Sequence, residues 1–241
     1  MGEAIETLAT ETLAIATLAV DIGGSGIKVM VLDHQGNPLS ERDRIDTPAV
    51  PTPEAVLEIL QQLAAGKTFD RVSVGFPGVV RRGVTETAAN LHPDWIGFDL
   101  AGALIQQLGK PVRVANDADI QGLGAVAGEG VELVITLGTG IGAAMFLNGR
   151  LIPNLELGHH PFRKGETYEE QLGRAALDEI GKRRWNNRLE RAVDLLERIF
   201  NYDSLYLGGG NTKKIDFVLP VNVKIVPNVT GLLGGIALWK D

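Results

Sequence analysis

An α/β fold made of two similar halves around a cleft is what this sequence predicts, on three observations. Strand-like apolar runs alternate with helix-like stretches along most of the chain, the pattern of sheets covered by helices. Each half opens in the same way, with a strand, a glycine turn and a second strand: Asp21-Ile-Gly-Gly-Ser-Gly-Ile-Lys28 in the first, Leu137-Gly-Thr-Gly-Ile-Gly142 in the second. At 241 residues, 44% of them hydrophobic, the chain can bury the core of one large or two small domains.

Residues 1–16 read as a flexible leader, acidic and without the basic start of a secretory signal. A first domain is expected over 17–115 and a second over 116–229, with a closing helix in 230–241 that packs back on the first. An apolar strand runs through Asp21 into the glycines and 29–32 returns as a strand, so the turn joins a hairpin and does not open a helix as G-x-G-x-x-G would. A turn at 34–38 precedes a third strand. Thr52 caps a helix with Pro53 at its first position, Glu54 near its positive end and helical apolar spacing to Leu63; Gly66 ends it. A strand over 71–76 stops at Pro77-Gly78, and Asp99 starts a helix that ends at Gly109-Lys-Pro111, before a strand over 112–115. The second half reads as a helix over 119–127, strands over 132–137 and 143–147, and helical stretches around 168–181 and 187–200. Strands over 204–207 and 223–226 follow, the first leading into Gly208-Gly-Gly210.

The formal charge of −7 argues against a general nucleic-acid binder, because backbone-phosphate affinity comes from clustered Lys and Arg. With no cysteine the chain has no disulfide, no zinc-thiolate site and no thiol nucleophile, which fits a reducing compartment. No apolar run approaches the roughly 20 residues of a membrane helix, so no membrane is expected and the cytoplasm is.

The glycine turns carry the chemistry. Glycines bring backbone N–H groups close to an anion, Asp21 can hold a hydrated divalent cation, and Lys28 can meet phosphate charge from the next strand. The stretch is not a Walker A loop. One such turn is as readily structural as functional; two that face each other across a cleft could clamp the two ends of a phosphate chain.

The order of segments resembles the ROK sugar kinases of the actin-like ATPase superfamily, with the two glycine turns as its phosphate motifs and Gly208-Gly-Gly210 as its later nucleotide-side loop. Phe76-Pro-Gly-Val-Val80, Thr87-Ala-Ala-Asn-Leu91, Asn116-Asp-Ala-Asp119, Pro153-Asn-Leu-Glu-Leu-Gly-His159 and Gly208-Gly-Gly-Asn-Thr-Lys-Lys214 are similar to that family's polyphosphate glucokinase branch, and the likeness runs from about residue 17 to the C-terminus. It implies actin-like (ribonuclease H-like) duplicated domains with a hinged cleft between them. It also implies phosphoryl transfer from inorganic polyphosphate, ATP or both to the 6-hydroxyl of glucose, with Mg²⁺, in a homodimer.

The resemblance also assigns residues. It makes Asp117 the general base, a role that suits phosphoryl transfer, where one carboxylate accepts the hydroxyl proton; Asn116-Asp117 capping the next helix is the plain alternative, compatible with it. Gly78, Asn90, Asn116, Asp117, Glu156, His159 and Glu169 fall at sugar positions. Asp21 takes the metal. The donor falls to Asp21, Gly23, Gly24, Ser25, Gly26, Lys28, Gly138, Thr139, Gly140, Gly142, Gly208, Gly209 and Gly210, with Lys213 and Lys214 on its distal phosphates. Other basic clusters, such as Lys182-Arg-Arg184, read as solvated faces. Many family members carry a zinc-binding cysteine cluster after the Gly-His pair, absent here, so no zinc is expected; adjacent His159 and His160 point in different directions and make a poor metal set with Glu156. The rival readings are an ATP-only glucokinase or a kinase for another hexose, a sugar-responsive repressor, whose N-terminal helix-turn-helix would not fit in the short leader, and a non-catalytic sugar sensor, against which the intact Asp21, Lys28 and Asp117 argue.

Overall fold

Two five-stranded sheets carry the architecture of the computed structural model, which describes residues 15–88, 91–227 and 234–239. In the first, β1 (Thr17–Ile22), β2 (Ile27–Leu32) and β3 (Asp43–Ile45) form an antiparallel meander, and β4 (Arg71–Phe76) and β5 (Val112–Asn116) add in parallel beyond β1, giving the order β3-β2-β1-β4-β5. In the second, β6 (Val131–Leu137), β7 (Ile141–Leu147) and β8 (Arg150–Ile152) make the meander and β9 (Ser204–Gly208) and β10 (Val223–Ile225) add in parallel, giving β8-β7-β6-β9-β10. The two orders match strand for strand.

Side-chain alternation decides what each face meets. Leu18, Val20 and Ile22 of β1 and Ile27, Val29 and Val31 of β2 point to a core closed by α1 (Pro53–Ala64) and α2 (Leu100–Leu108) through Val56, Leu60, Leu100 and Leu104. Leu133, Ile135 and Leu137 of β6 do the same against α4 (Tyr168–Leu172) and α5 (Arg174–Phe200), meeting Tyr168, Trp185, Leu189 and Val193. The intervening residues face inward. Ala19, Met30 and Leu32 meet Ile236, and Val134, Ala144, Phe146 and Tyr206 meet Leu123 and Val126. With both faces covered, the central strands are apolar almost throughout, as buried sheets require.

Between the sheets lies α3 (Asp117–Leu123), touching β4 and β5 on one side and β6 and β7 on the other. It begins two residues before the expected start because the Asn116 side chain accepts from the Ala118 and Asp119 N–H groups. It also ends early: the Glu132 carboxylate takes the N–H groups of Ala127, Gly128 and Glu129, turning that segment away from the helix. The predicted break between two late helices falls at Gly181, whose φ of 76° interrupts α5. Thr52 and Asp99 cap α1 and α2 as expected.

The closing segment is a 3₁₀ helix over Gly234–Trp239 that returns to the first sheet. Ser73 donates to the Gly235 carbonyl and receives the Trp239 indole N–H, while the guanidinium carbons of Arg71 and Arg113 lie 4.9 and 4.5 Å from the centre of the Trp239 ring. Most of the leader and the rest of 230–241 lie outside the described residues. Among the described residues no helix is long and apolar enough to cross a membrane.

Candidate functional site

The two glycine turns open on one cleft of about 780 Å³ between the sheets. At the first, the Gly23 N–H closes on the Gly26 carbonyl at 3.1 Å, and outside groups hold two more carbonyls: Thr47 donates to Gly23 at 2.5 Å and Arg44 to Ser25 at 2.8 Å. The N–H groups of Gly24 and Ser25 have no acceptor among the described residues. At the second, the Gly138 N–H closes on Gly140 at 3.0 Å, Asn211 donates to the Gly138 carbonyl and the Arg174 N–H to that of Thr139. Both turns thus have their acceptors engaged from behind, and donors are what they have left to offer. A backbone so arranged suits an anion.

Asp21 faces the cleft because β1 alternates, placing it on the side of Ala19, opposite Lys28 on β2 and Gly75 on β4. Lys28 donates to it at 2.7 Å. Asp117, the first residue of α3, also lines the cleft. Burial pushes its carboxyl up to about 7, with the Asp21 charge adding to the rise and the Ala118 N–H opposing it. The segment that carries Glu156 and His159 lines the cleft as well, with His159 Nε2 3.4 Å from Glu156 Oε2. Burial raises the Glu156 carboxyl, His159 lowers it and Glu169 raises it. Glu169, at the start of α4, accepts from the Ile141 N–H at 3.0 Å and so connects this end of the cleft to the second turn.

Asp119, on the next residue but one of α3, is buried, and burial pushes its carboxyl up to about 7 against the Asn154 N–H it accepts. Asn154 in turn brackets Val80, donating to its carbonyl and accepting from its N–H. Helix α3, the segment of Asn154 and the backbone of Val80 are joined there.

Of the expected residues, the cleft brings together Asp21, Gly23, Gly24, Ser25 and Lys28 from the first half with Gly138, Thr139, Gly140, Gly142, Gly209 and Gly210 from the second. Gly78, Asn116, Asp117, Glu156, His159 and Glu169 line it as well. The Asn116 side chain is engaged in capping α3 and in donating to the Gly78 carbonyl at 3.1 Å. Gly26 lies under the Arg44 guanidinium and Gly208 under the Gln121 amide, and neither lines the cleft. Lys213 and Lys214 end the 3₁₀ turn Gly210–Lys214 with exposed side chains, outside the lining. Asn90 lies outside the described residues. Reading the motifs misses Arg42, Arg44, Gln121 and Thr136, and gives no role to Thr87, the first residue of one of them; all five line the cleft. Thr87 had a signal in its motif, and Thr136 had one as the counterpart of Asp21 before the second turn.

Asp21, the residue expected to take a metal, lies in the lining of the cleft and is paired there with Lys28. Among the described residues no three or more His, Asp or Glu side chains converge as a metal site.

The ROK family pattern matches residues 17–170 of this chain. The polyphosphate glucokinase of Mycobacterium tuberculosis (strain CDC 1551 / Oshkosh) is 33% identical over 234 residues, covering 89% of this chain and 88% of its own length. The inorganic polyphosphate/ATP-glucomannokinase of Arthrobacter sp. strain KM is 35% identical, and its crystal structure superposes with a TM-score of 0.83 over 93% of this chain and 99% of that one. A ROK family glucokinase from Streptomyces griseus, solved with glucose and AMPPNP, shares the fold at 21% identity, with a TM-score of 0.79 over 92% of this chain and 98% of its own. The duplicated sheets are those of the actin-like sugar kinases.

Proposed function

The chain belongs to the ROK family and is one of its kinases, and from that premise we propose that it is a glucokinase that transfers a phosphoryl group from inorganic polyphosphate or ATP to the 6-hydroxyl of glucose. The observation that carries this reading is the pair of glycine turns facing one cleft with the Asp117 carboxyl in its lining. The donor's phosphates rest on the free N–H groups of the turns, with Lys28 beside them. Glu156, His159 and Glu169, with Asn90 and the Gly78 backbone, fix the sugar hydroxyls. Asp117 accepts the proton of the attacking hydroxyl, and its raised pKa of about 7 lets it gain and lose a proton near neutral pH. Most of the remaining work in phosphoryl transfer is positioning and charge stabilisation, which fixed backbone donors supply. Asp21 would hold a hydrated Mg²⁺, which when bound neutralises donor charge. Residues 17–115 with the closing segment, and 116–229, are the two domains that would close on the substrates.

Glucose 6-phosphate formation, measured with ATP and with polyphosphate as sole donor, tests this. Turnover with either donor supports the glucokinase. Turnover with ATP on another hexose alone would replace the acceptor, and turnover with neither donor would remove the reading.

A further inference from the structure

Two cations that no motif contains stand on the wall of the cleft. Arg42 and Arg44 line it, and Lys28 is the other Lys or Arg in that lining. Arg44 lies within β3 and Arg42 just before it, two residues apart in extended chain, so both side chains take the same side. The register puts Arg44 opposite Lys28 and Lys28 opposite Asp21, so one row of charge crosses three strands at the first turn.

Cations placed side by side on a sheet repel unless something answers them. Asp21 answers Lys28 at 2.7 Å, and Asp46 and the Ser25 carbonyl answer Arg44, each at 2.8 Å. Arg42 has neither an ion pair nor a hydrogen bond among the described residues. The arrangement is built into the turn: a Cβ on Gly26 would stand 2.5 Å from Arg44 Nε, so a side chain there would displace the guanidinium. Of the carboxylates that line the cleft, Asp21 is paired with Lys28, and Asp117, Glu156 and Glu169 come from the second half of the chain, so Arg42 is left on the β3 wall with no carboxylate partner among the described residues.

We infer that Arg42 and Arg44 form a subsite for the phosphates of a linear inorganic polyphosphate that lie beyond the one transferred. The subsite rests on the kinase reading for its position next to the reacting phosphate. A guanidinium can give two parallel hydrogen bonds to one phosphate, which a lysine ammonium cannot. Where polyphosphate continues as a chain of charges, ATP continues as a nucleoside, so the subsite favours the inorganic donor. Lys213 and Lys214, which the sequence suggests for this task, do not line the cleft.

The test uses the full chain and long-chain inorganic polyphosphate, with Arg42→Gln, Arg42→Lys and the Lys213→Gln/Lys214→Gln pair. Titration calorimetry at several salt concentrations gives binding; steady-state kinetics gives KM for polyphosphate, ATP and glucose. Arg42→Gln should weaken polyphosphate binding roughly tenfold, the scale of one charge-assisted contact. It should also reduce the slope of log affinity against log salt by about one. The loss should be larger for polyphosphate than for ATP, and Arg42→Lys should recover the salt slope but only part of the affinity. Arg44→Gln is the secondary variant, since it also frees the Ser25 carbonyl. Wild-type affinity and slope in Arg42→Gln overturn the subsite, as does a loss confined to the lysine pair. Polyphosphate that binds through Arg42 yet yields no glucose 6-phosphate upholds the subsite and removes polyphosphate from the proposed reaction. Turnover of polyphosphate with Arg42→Gln binding it normally does the reverse.

Discussion

At the first glycine turn the cleft-facing pair is Asp21 opposite Lys28, whereas at the second the same positions hold Thr136 opposite Gly142. The hairpins are otherwise alike, each closed by a glycine N–H across the turn and each held at its carbonyls from outside. Both halves thus carry a glycine turn closed in the same way, and one of them carries an ion pair beside it. Packing explains the asymmetry. A Cβ on Gly142 would stand 2.5 Å from Thr136 Oγ1 and 2.8 Å from Ala118 Cβ, because α3 rests on the second hairpin. The hairpin on which α3 rests has no room for a second lysine.

The largest effect should come where the two halves meet. Asp117→Asn should bind glucose almost normally and lose about 10²–10⁴-fold in kcat, the usual share of a general base. Calorimetry and single-turnover kinetics check the two parts, and a variant keeping a tenth of wild-type kcat would take Asp117 out of the role.

Giving the first turn the second turn's chemistry is the sharper test. Asp21→Thr should lower kcat by about 10²–10³-fold, the scale of losing one electrostatic stabiliser, and raise the Mg²⁺ concentration needed for half-maximal rate. Equal rates in Asp21→Thr and wild type would mean that the charge difference between the turns is idle. The reciprocal change, Gly142→Lys, should cost about 1–3 kcal/mol or more of stability through overpacking, read by urea denaturation.

A side chain at the turns themselves separates backbone from charge. Gly24→Val should raise the KM of either donor with the fold retained, since it obstructs N–H groups that phosphate would use. Gly140→Val should do so as well and also displace the Glu169 carboxylate, which occupies the space a Cβ would take, so its glucose KM should rise too. Normal donor kinetics in both variants would make the turns structural.

Smaller effects follow pH. Asp117 must be ionised to accept a proton, so kcat/KM should rise with pH through about 7. Asp21→Asn removes the second cause of that rise, after burial, and should move the limb to lower pH. For stability the sign is opposite. Asp119 is raised from 3.8 to about 7 on folding, so its contribution is complete below the unfolded value and is lost as pH climbs through the folded one. Asp119→Asn should flatten the decline in urea stability between those limits by at most about 1.4 kcal/mol per pH unit. An unchanged decline would mean that Asp119 titrates as it does in the unfolded chain.

What the sequence by itself determined is what neighbouring residues decide together. Alternation in 17–32 and 131–147 sets which side chains face the helices and which face the cleft, the glycines specify the turns, and Asn116 before Asp117 specifies a capped helix start. Those features depend on contacts within a few residues, and the motifs of the likeness are of that kind. Helix limits were less legible, because α3 is cut short by Glu132, a residue of the next strand. Only the tertiary structure decided that Arg42 and Arg44 share a wall with Asp21, since a one-residue change of register in β3 would turn both away. It likewise decided that Glu169 reaches the second turn from the start of α4, and that Lys213 and Lys214 stay outside the cleft although they follow its third glycine loop. Pairing register and helix docking are set by the balance of many distant contacts, and no short stretch of sequence contains that balance.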